Sequence, residues 1–342
     1  MRDAQQTPGF PDQPVLARVW RGDHVESQHR GAWVVTDTAG RVLTSVGEVD
    51  WPFFARSSIK SLQALPLIET GAAERWGYTP SELALTLSSH NGAEQHTRAA
   101  LAILKRLDLD ESALQCGVQT PDDPQARDAL VRAGRKPRAI HNNCSGKHVG
   151  FLALARHLGE DEDRYLDPQS EVQRLVRRAV VDLTDLDESE LTTAIDGCSA
   201  PTFRMPLSSL ATAFARVSNP DGLEASRRDA LRGMLSAVAA HPAMVAGDYK
   251  RLCTALLRAS EGRLFPKIGA EAVYAVGLRG EDRALAVKID DGGLRALHAV
   301  VLSLLERLGW LDAGALSELE PFRGRPLENR VGREVGHIEV LD

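Results

Sequence analysis

Strand-like sequence sits at both ends of this chain, with a long helical pattern between. Val15–Trp20, Gly31–Asp37 and Val42–Val46 alternate or are rich in β-branched residues, with Thr38-Ala39-Gly40 as a turn, and read as a meander. From Ser57 to about Ser260 the pattern is helical, including Glu94–Leu107, Ala126–Ala133, Gly150–Leu158, Ser170–Leu183, Leu207–Val217, Ala225–Ala239 and Tyr249–Ala259. Strands return at Val273–Leu278 and Ala284–Ile289, followed by an apolar helix over Leu294–Leu308. Strands at both ends predict that the termini meet in one sheet with the helical block as a second lobe, an α+β arrangement. The expected organisation is a disordered lead-in over 1–14 and a single unit over 15–342. That unit comprises an α+β lobe (15–60 and 260–342) and a mostly helical lobe (61–259).

Bulk properties narrow the function. The chain has 342 residues, 43% hydrophobic and 26% charged, an ordinary globular balance with room for a large core. A net charge of -6 argues against nucleic acid as the main partner, which needs a concentrated basic surface. Arg174, Arg177 and Arg178 cluster on one helix, and a solvated face explains them. Met1 to Pro14 is polar, with neither the apolar core of a signal peptide nor that of an anchor, and no later apolar run approaches the ~20 residues of a membrane helix. Four cysteines and no export signal point to a reducing cytoplasm.

Lysine is scarce, and three of the few lysines lie in motif-like contexts. The first is Ser57-Ser58-Ile59-Lys60, the only Ser-x-x-Lys, where the strands give way to the helices. Residues three apart share a helix face, so the Ser57 hydroxyl and the Lys60 amine are placed to pair as an activated nucleophile does. The second is Lys267-Ile268-Gly269, ahead of a strand; penicillin-recognising serine enzymes pair Ser-x-x-Lys with Lys-(Ser/Thr)-Gly. Ile268 replaces the hydroxyl that would contact a β-lactam carboxylate, which disfavours antibiotics as substrates. Between them, Ser88-Ser89-His90-Asn91-Gly92 ends a short helix opened by the capping box Thr79-Pro80-Ser81-Glu82 and offers Ser89 as a second, proton-shuttling hydroxyl.

The third lysine is Lys147, in Asn142-Asn143-Cys144-Ser145-Gly146-Lys147-His148. A phosphate loop is excluded: no glycine lies five residues before Gly146, and His148 stands where Ser or Thr is required. Cys144 reads as half of a metal or redox site with a second half in Asp196-Gly197-Cys198. Two separated cysteines fall short of the four ligands of a structural zinc site, so on spacing alone they read as buried free thiols. Cys253 reads as core, and Cys116 has no assigned place.

Taken together, these segments resemble the asparaginase II family, the rhizobial-type or class 3 L-asparaginases, over roughly Leu16 to Val340. The resemblance implies a serine β-lactamase-like and glutaminase-like fold with an antiparallel sheet, a homodimer, and hydrolysis of L-asparagine to L-aspartate and ammonia. It makes Ser57 the nucleophile with Lys60 as base and pairs Ser89 with Lys267. It has Cys144, Lys147 and Cys198 bind zinc, with water as the remaining ligand. Arg56, His90, Asn91, Asp196 and His148 would line the substrate site, Asp196 and His148 beside the metal. Lys60 must be neutral to act as base, which requires burial or a neighbouring cation to lower it from its free value of ~10.4. Two rivals stand: a serine glutaminase or other amidohydrolase of the same fold, and a non-catalytic sensor that accepts an acyl group and keeps it.

Overall fold

The computed structural model describes residues 9–324 and 326–341. The expected lead-in falls partly outside them. Residues 9–14 run without regular structure, although Gln13 is buried and its side chain bonds the backbone of Glu48.

The chain opens with β1 (Val15–Arg21), β2 (His24–Thr36), β3 (Val42–Val46) and the short β4 (Phe53–Phe54). Helices follow: α1 (Lys60–Glu69), α2 (Ala72–Arg75), α3 (Pro80–Thr86), α4 (Glu94–Arg106), α5 (Pro124–Arg132), α6 (Ser145–Leu158) and α7 (Glu171–Thr184). A hairpin of β5 (Thr192–Ile195) and β6 (Pro201–Met205) precedes α8 (Leu207–Ser218), α9 (Ala225–Ala240), α10 (Pro242–Ala246) and α11 (Leu252–Ala259). The chain closes with β7 (Leu264–Gly269), β8 (Val273–Leu278), β9 (Ala284–Ile289), α12 (Leu294–Arg307), α13 (Ala313–Glu318), β10 (Leu327–Glu328) and β11 (Glu334–Val340).

Eight strands form one antiparallel sheet in the order β10-β11-β1-β2-β9-β8-β7, with β3 also on β2. Both chain ends therefore supply the sheet, as the pattern predicts. The long β2 pairs β1 with its first half and β9 with its second. A Cβ at Gly31, where β2 changes partner, would lie 2.1 Å from the Lys288 carbonyl oxygen, so only glycine fits there.

Side-chain alternation explains why β8 and β9 are apolar throughout. Val273, Ala275, Ala284 and Ala286 face one core with Phe214 of α8, while Tyr274, Val276, Leu285 and Val287 face another with Leu297 and Val301 of α12. Each large apolar side chain so buried contributes about 1.5–3 kcal/mol. The first core runs on without a break into α1, α3, α6, α7 and α9. Thus α8 and α11, inside the helical stretch 61–259, lie against the sheet.

The helical pattern misses the hairpin β5–β6, which pairs β4 in a separate three-stranded sheet. Its strands are too short, four and five residues, to show a period among the surrounding helices. Strands β7 and β11 also exceed the sequence-based assignment, and α6 begins at Ser145 rather than Gly150.

Candidate active site

Ser57 lies on a 3₁₀ turn, Arg56–Ile59, that leads into α1. Pairing of β4 with β6 fixes the approach, and the Ala55 N–H donates to the Phe203 carbonyl at 3.0 Å. Arg56 is forced to φ 53, a left-handed backbone that a non-glycine residue adopts at a cost. Ser58 is buried and donates to the Ala55 carbonyl at 2.6 Å, whereas Ser57 stays half-buried. Strand β7 passes so close that a Cβ on Gly269 would sit 2.7 Å from the Ala55 oxygen and 3.2 Å from the Ser58 nitrogen. Glycine in Lys-x-Gly is what lets the strand reach the serine turn.

The three other members of the expected machinery meet at one hydroxyl. Lys267 Nζ donates to Ser89 Oγ at 2.7 Å and to the Ile268 carbonyl at 3.0 Å. Lys60 Nζ donates to Ser89 Oγ at 3.2 Å, to the Ser88 carbonyl at 2.5 Å and to the Asn143 carbonyl at 3.4 Å. Both lysines are fully buried, at 0% and 1% exposure for Lys60 and Lys267, which makes polar partners obligatory. No hydrogen bond joins Ser57 to Lys60 among the described residues; the amine of Lys60 goes to the Ser89 loop. Burial, reinforced by the Lys60 cation, pushes Lys267 down to about 7.

His90 and Asn91 shape this loop. The Gly92 N–H donates to His90 Nδ1 at 3.1 Å, so Nε2 carries the proton and donates to Ser145 Oγ at 2.9 Å. The ring stacks on His96 with centroids 4.7 Å apart, and burial holds it well below the ordinary histidine range. Asn91 is buried, its Oδ1 accepting from the Ala93 N–H and its Nδ2 lying 3.4 Å from Asp123 Oδ2.

A second cluster joins α6 to the tip of the β5–β6 hairpin. Lys147 Nζ donates to Cys198 Sγ at 3.2 Å, the Cys198 thiol donates to Asp196 Oδ2 at 3.8 Å, and Cys144 is buried beside them. The neighbouring Cys198 thiol, aided by Lys60 and Lys147, holds Cys144 well below the ordinary thiol range, and Cys198 is pushed up as the partner that keeps the proton. Burial works to lower Lys147, but Cys198, Cys144 and Asp196 outweigh it and raise the amine. Asp196 pairs with Arg56 Nε at 2.6 Å, linking this cluster to the residue before Ser57. His148 turns Nδ1 to the Tyr165 hydroxyl at 2.7 Å, and its buried Nε2 has no hydrogen-bond partner among the described residues.

The whole set spans most of the chain, and a family match spans it too: residues 17–340 match L-asparaginase II. The chain belongs to the L-asparaginase II family. A comparison with the curated proteins finds no match. Among solved structures it is similar to a β-lactamase from Mycobacterium bovis, at 18% identity over 81% of this chain and 94% of that one, with a TM-score of 0.43. It is also similar to Mglu in its glutamate form, at 13% identity over 82% of this chain and 61% of that one, with a TM-score of 0.44.

In this asparaginase II member, sequence reasoning missed Arg251, which donates to the Ser89 carbonyl, Tyr165 beneath His148, and Gln119, whose Oε1 accepts from the Asn143 N–H. None carries a spacing signal, because each reaches the site from a separate loop or turn. A groove of about 1430 Å³ opens beside Gly92, between the first turns of α4 and α5 and Tyr249, and none of Ser57, Lys60, Ser89 and Lys267 lines it.

Proposed function

We infer that the chain, an amidohydrolase by family membership, acts on a small molecule. We propose that it is an L-asparaginase that hydrolyses the side-chain amide through an acyl-enzyme on Ser57. The observation that carries this reading is Ser89 Oγ held between two buried lysine amines, at 2.7 Å from Lys267 and 3.2 Å from Lys60. Ser57 attacks the carboxamide carbon, the C–N bond breaks, and ammonia leaves after taking up the serine proton. Water then cleaves the ester to release aspartate and restore the Ser57 hydroxyl. Lys60, Ser89 and Lys267 form one proton relay for Ser57, in which Lys267, an amine near 7, exchanges a proton readily at neutral pH. Backbone N–H groups, that of Ser57 among them, stabilise the oxyanion. Arg56 and Asp196 suit the α-carboxylate and α-ammonium of an amino acid.

Among the described residues no three His, Cys, Asp or Glu side chains form a metal cluster; the candidate set uses an amine instead. Two adjoining thiols and Lys147 fit zinc, which takes soft sulfur and borderline nitrogen donors. Cys144, Lys147 and Cys198 would hold the ion, and Asp196 would stand beside it. When bound, zinc supplies a Lewis-acidic anchor for the substrate's charged α-groups. The resemblance also supports a homodimer, and four cysteines in so long a chain fit a reducing cytoplasm.

Ammonia release from asparagine and from glutamine, with a chromogenic lactam alongside, tests the reading. Multiple turnover on asparagine, lost in Ser57→Ala, supports it. A strong preference for glutamine or the lactam moves the assignment to the first rival, and a single turnover moves it to the sensor.

A further inference from the structure

Arg251 stands immediately before α11, and its guanidinium turns back toward Ser89. Nε donates to the Ala246 carbonyl at 3.1 Å, and Nη2 donates to the Ser89 carbonyl at 3.1 Å. Nη2 also lies 3.5 Å from Asp122 Oδ2 at the solvent edge. From the other side, the Ser89 N–H donates to the Val245 carbonyl at 2.9 Å. Ser89 is thus fastened through both backbone groups to the end of α10, one of them by a planar fork that also grips the next carbonyl. The fit is close: a Cβ on Gly247 would meet the Asn91 side chain at 2.3 Å.

We propose that Arg251 is a positioning residue that, through the Ser89 carbonyl, sets the Ser89 hydroxyl between Lys60 and Lys267. This rests on the reading of Ser89 and Lys267 as a proton relay. A hydroxyl with one amine on each side transfers a proton only while both distances stay short. The backbone sets where that hydroxyl stands, because a serine side chain has one rotatable bond between Cα and the hydroxyl oxygen. The guanidinium is rigid and forked, so it can fix two carbonyls at once, and the compact ammonium of lysine cannot reproduce that geometry. Its charge acts on the same relay. Lys267 is faced by Lys60 of α1, by Cys144, by Cys253 of α11 and by Arg251, and burial together with the two cations favours its neutral form.

The two roles separate in a pair of variants, read by kcat and KM for amide hydrolysis across pH. Arg251→Met removes fork and charge. Its kcat should fall by about 10–100-fold with KM little changed, as expected when a reacting group is displaced by ~1 Å. The acid limb of its kcat profile should also move to higher pH, because the cation that disfavours Lys267 protonation is gone. Arg251→Lys keeps the charge but not the fork, so the acid limb should stay near that of the parent while kcat recovers only in part. Thermal melts establish that each variant is folded, with Arg251→Gln, which keeps an N–H donor, replacing Arg251→Met if that one does not fold. Parent-like kcat and pH profile in the folded variants overturn the proposal, as does a loss confined to KM. Ser89→Ala and Lys267→Met, measured alongside, keep the two readings apart: full activity in both removes the relay itself, whereas collapse of both with Arg251→Met unaffected removes only the positioning role.

Discussion

Lys267 is a buried amine whose protonated form the fold disfavours, and that has opposite consequences for activity and stability. The amine sits near 7 in the folded chain against about 10.5 when unfolded, so between those values the unfolded state binds more protons and stability rises with pH. Lys267→Met should therefore be more stable than the parent at pH 7, on the order of a few kcal/mol, with the gap closing toward pH 10. The same variant should lose nearly all amidase activity. Urea midpoints of the two proteins at both pH values check the first part, and an equal or lower midpoint at pH 7 contradicts it. Ser57→Ala and Lys60→Ala should each nearly abolish turnover, and parent-like turnover in Ser57→Ala would sink the nucleophile assignment. Ser89→Ala combined with Lys267→Met should cost less than the sum of the separate losses, because both act on one proton path. The meeting of Lys60, Ser89 and Lys267 was implied by the family resemblance rather than by spacing, and which atoms touch was not legible. The Ser-x-x-Lys spacing places Ser57 and Lys60 together, yet a buried amine needs several acceptors, and Lys60 finds them in Ser88, Ser89 and Asn143.

At the scale of elements, the approach of β7 to the serine turn leaves no room for a side chain at Gly269. Gly269→Ala should destabilise the protein by about 1–3 kcal/mol and lower kcat, since its Cβ would push on the Ala55 carbonyl and the turn that carries Ser57. Urea unfolding with steady-state kinetics would show both; a change in neither would mean that the strand simply shifts. The long helices, and strands β1, β2, β3, β8 and β9, were legible because their apolar residues repeat over several turns or pleats, whereas β7 and β11 were not. The β5–β6 hairpin was not, although its tip carries Asp196 and Cys198. There the chain turns through Ser199 at φ 69, held by the Asp196 N–H to the Ala200 carbonyl at 2.9 Å, and such local geometry leaves little compositional trace.

For the whole molecule, the candidate metal site ties two elements that are far apart in sequence. Cys144 and Lys147 belong to the start of α6 and Cys198 to the hairpin, so an ion there would brace the helical block against the small sheet. The purified protein should carry close to one zinc per chain, and zinc should raise its melting temperature by mass action. Because the proton kept by Cys198 and the raised Lys147 proton must leave before the ligands bind, occupancy should fall as pH drops. Cys144→Ser or Cys198→Ser should lose the metal and chiefly raise KM. A collapse of kcat with KM unaltered would place the ion in the chemical step, and elemental analysis finding no metal in active protein would leave the cysteines as core thiols.

The sheet that unites the two ends also sets a timetable. Strand β1 lies between β2 and β11, with Ala17 opposite Val340. A ribosome releases Ser57 early, but β7 with Lys267 emerges some two hundred residues later, and β11 later still. The growing chain therefore carries an unarmed serine, and β1 keeps one bare edge until the final segment is out. Truncation before Glu334 should leave that edge permanently open, yielding a product that aggregates rather than a slower enzyme.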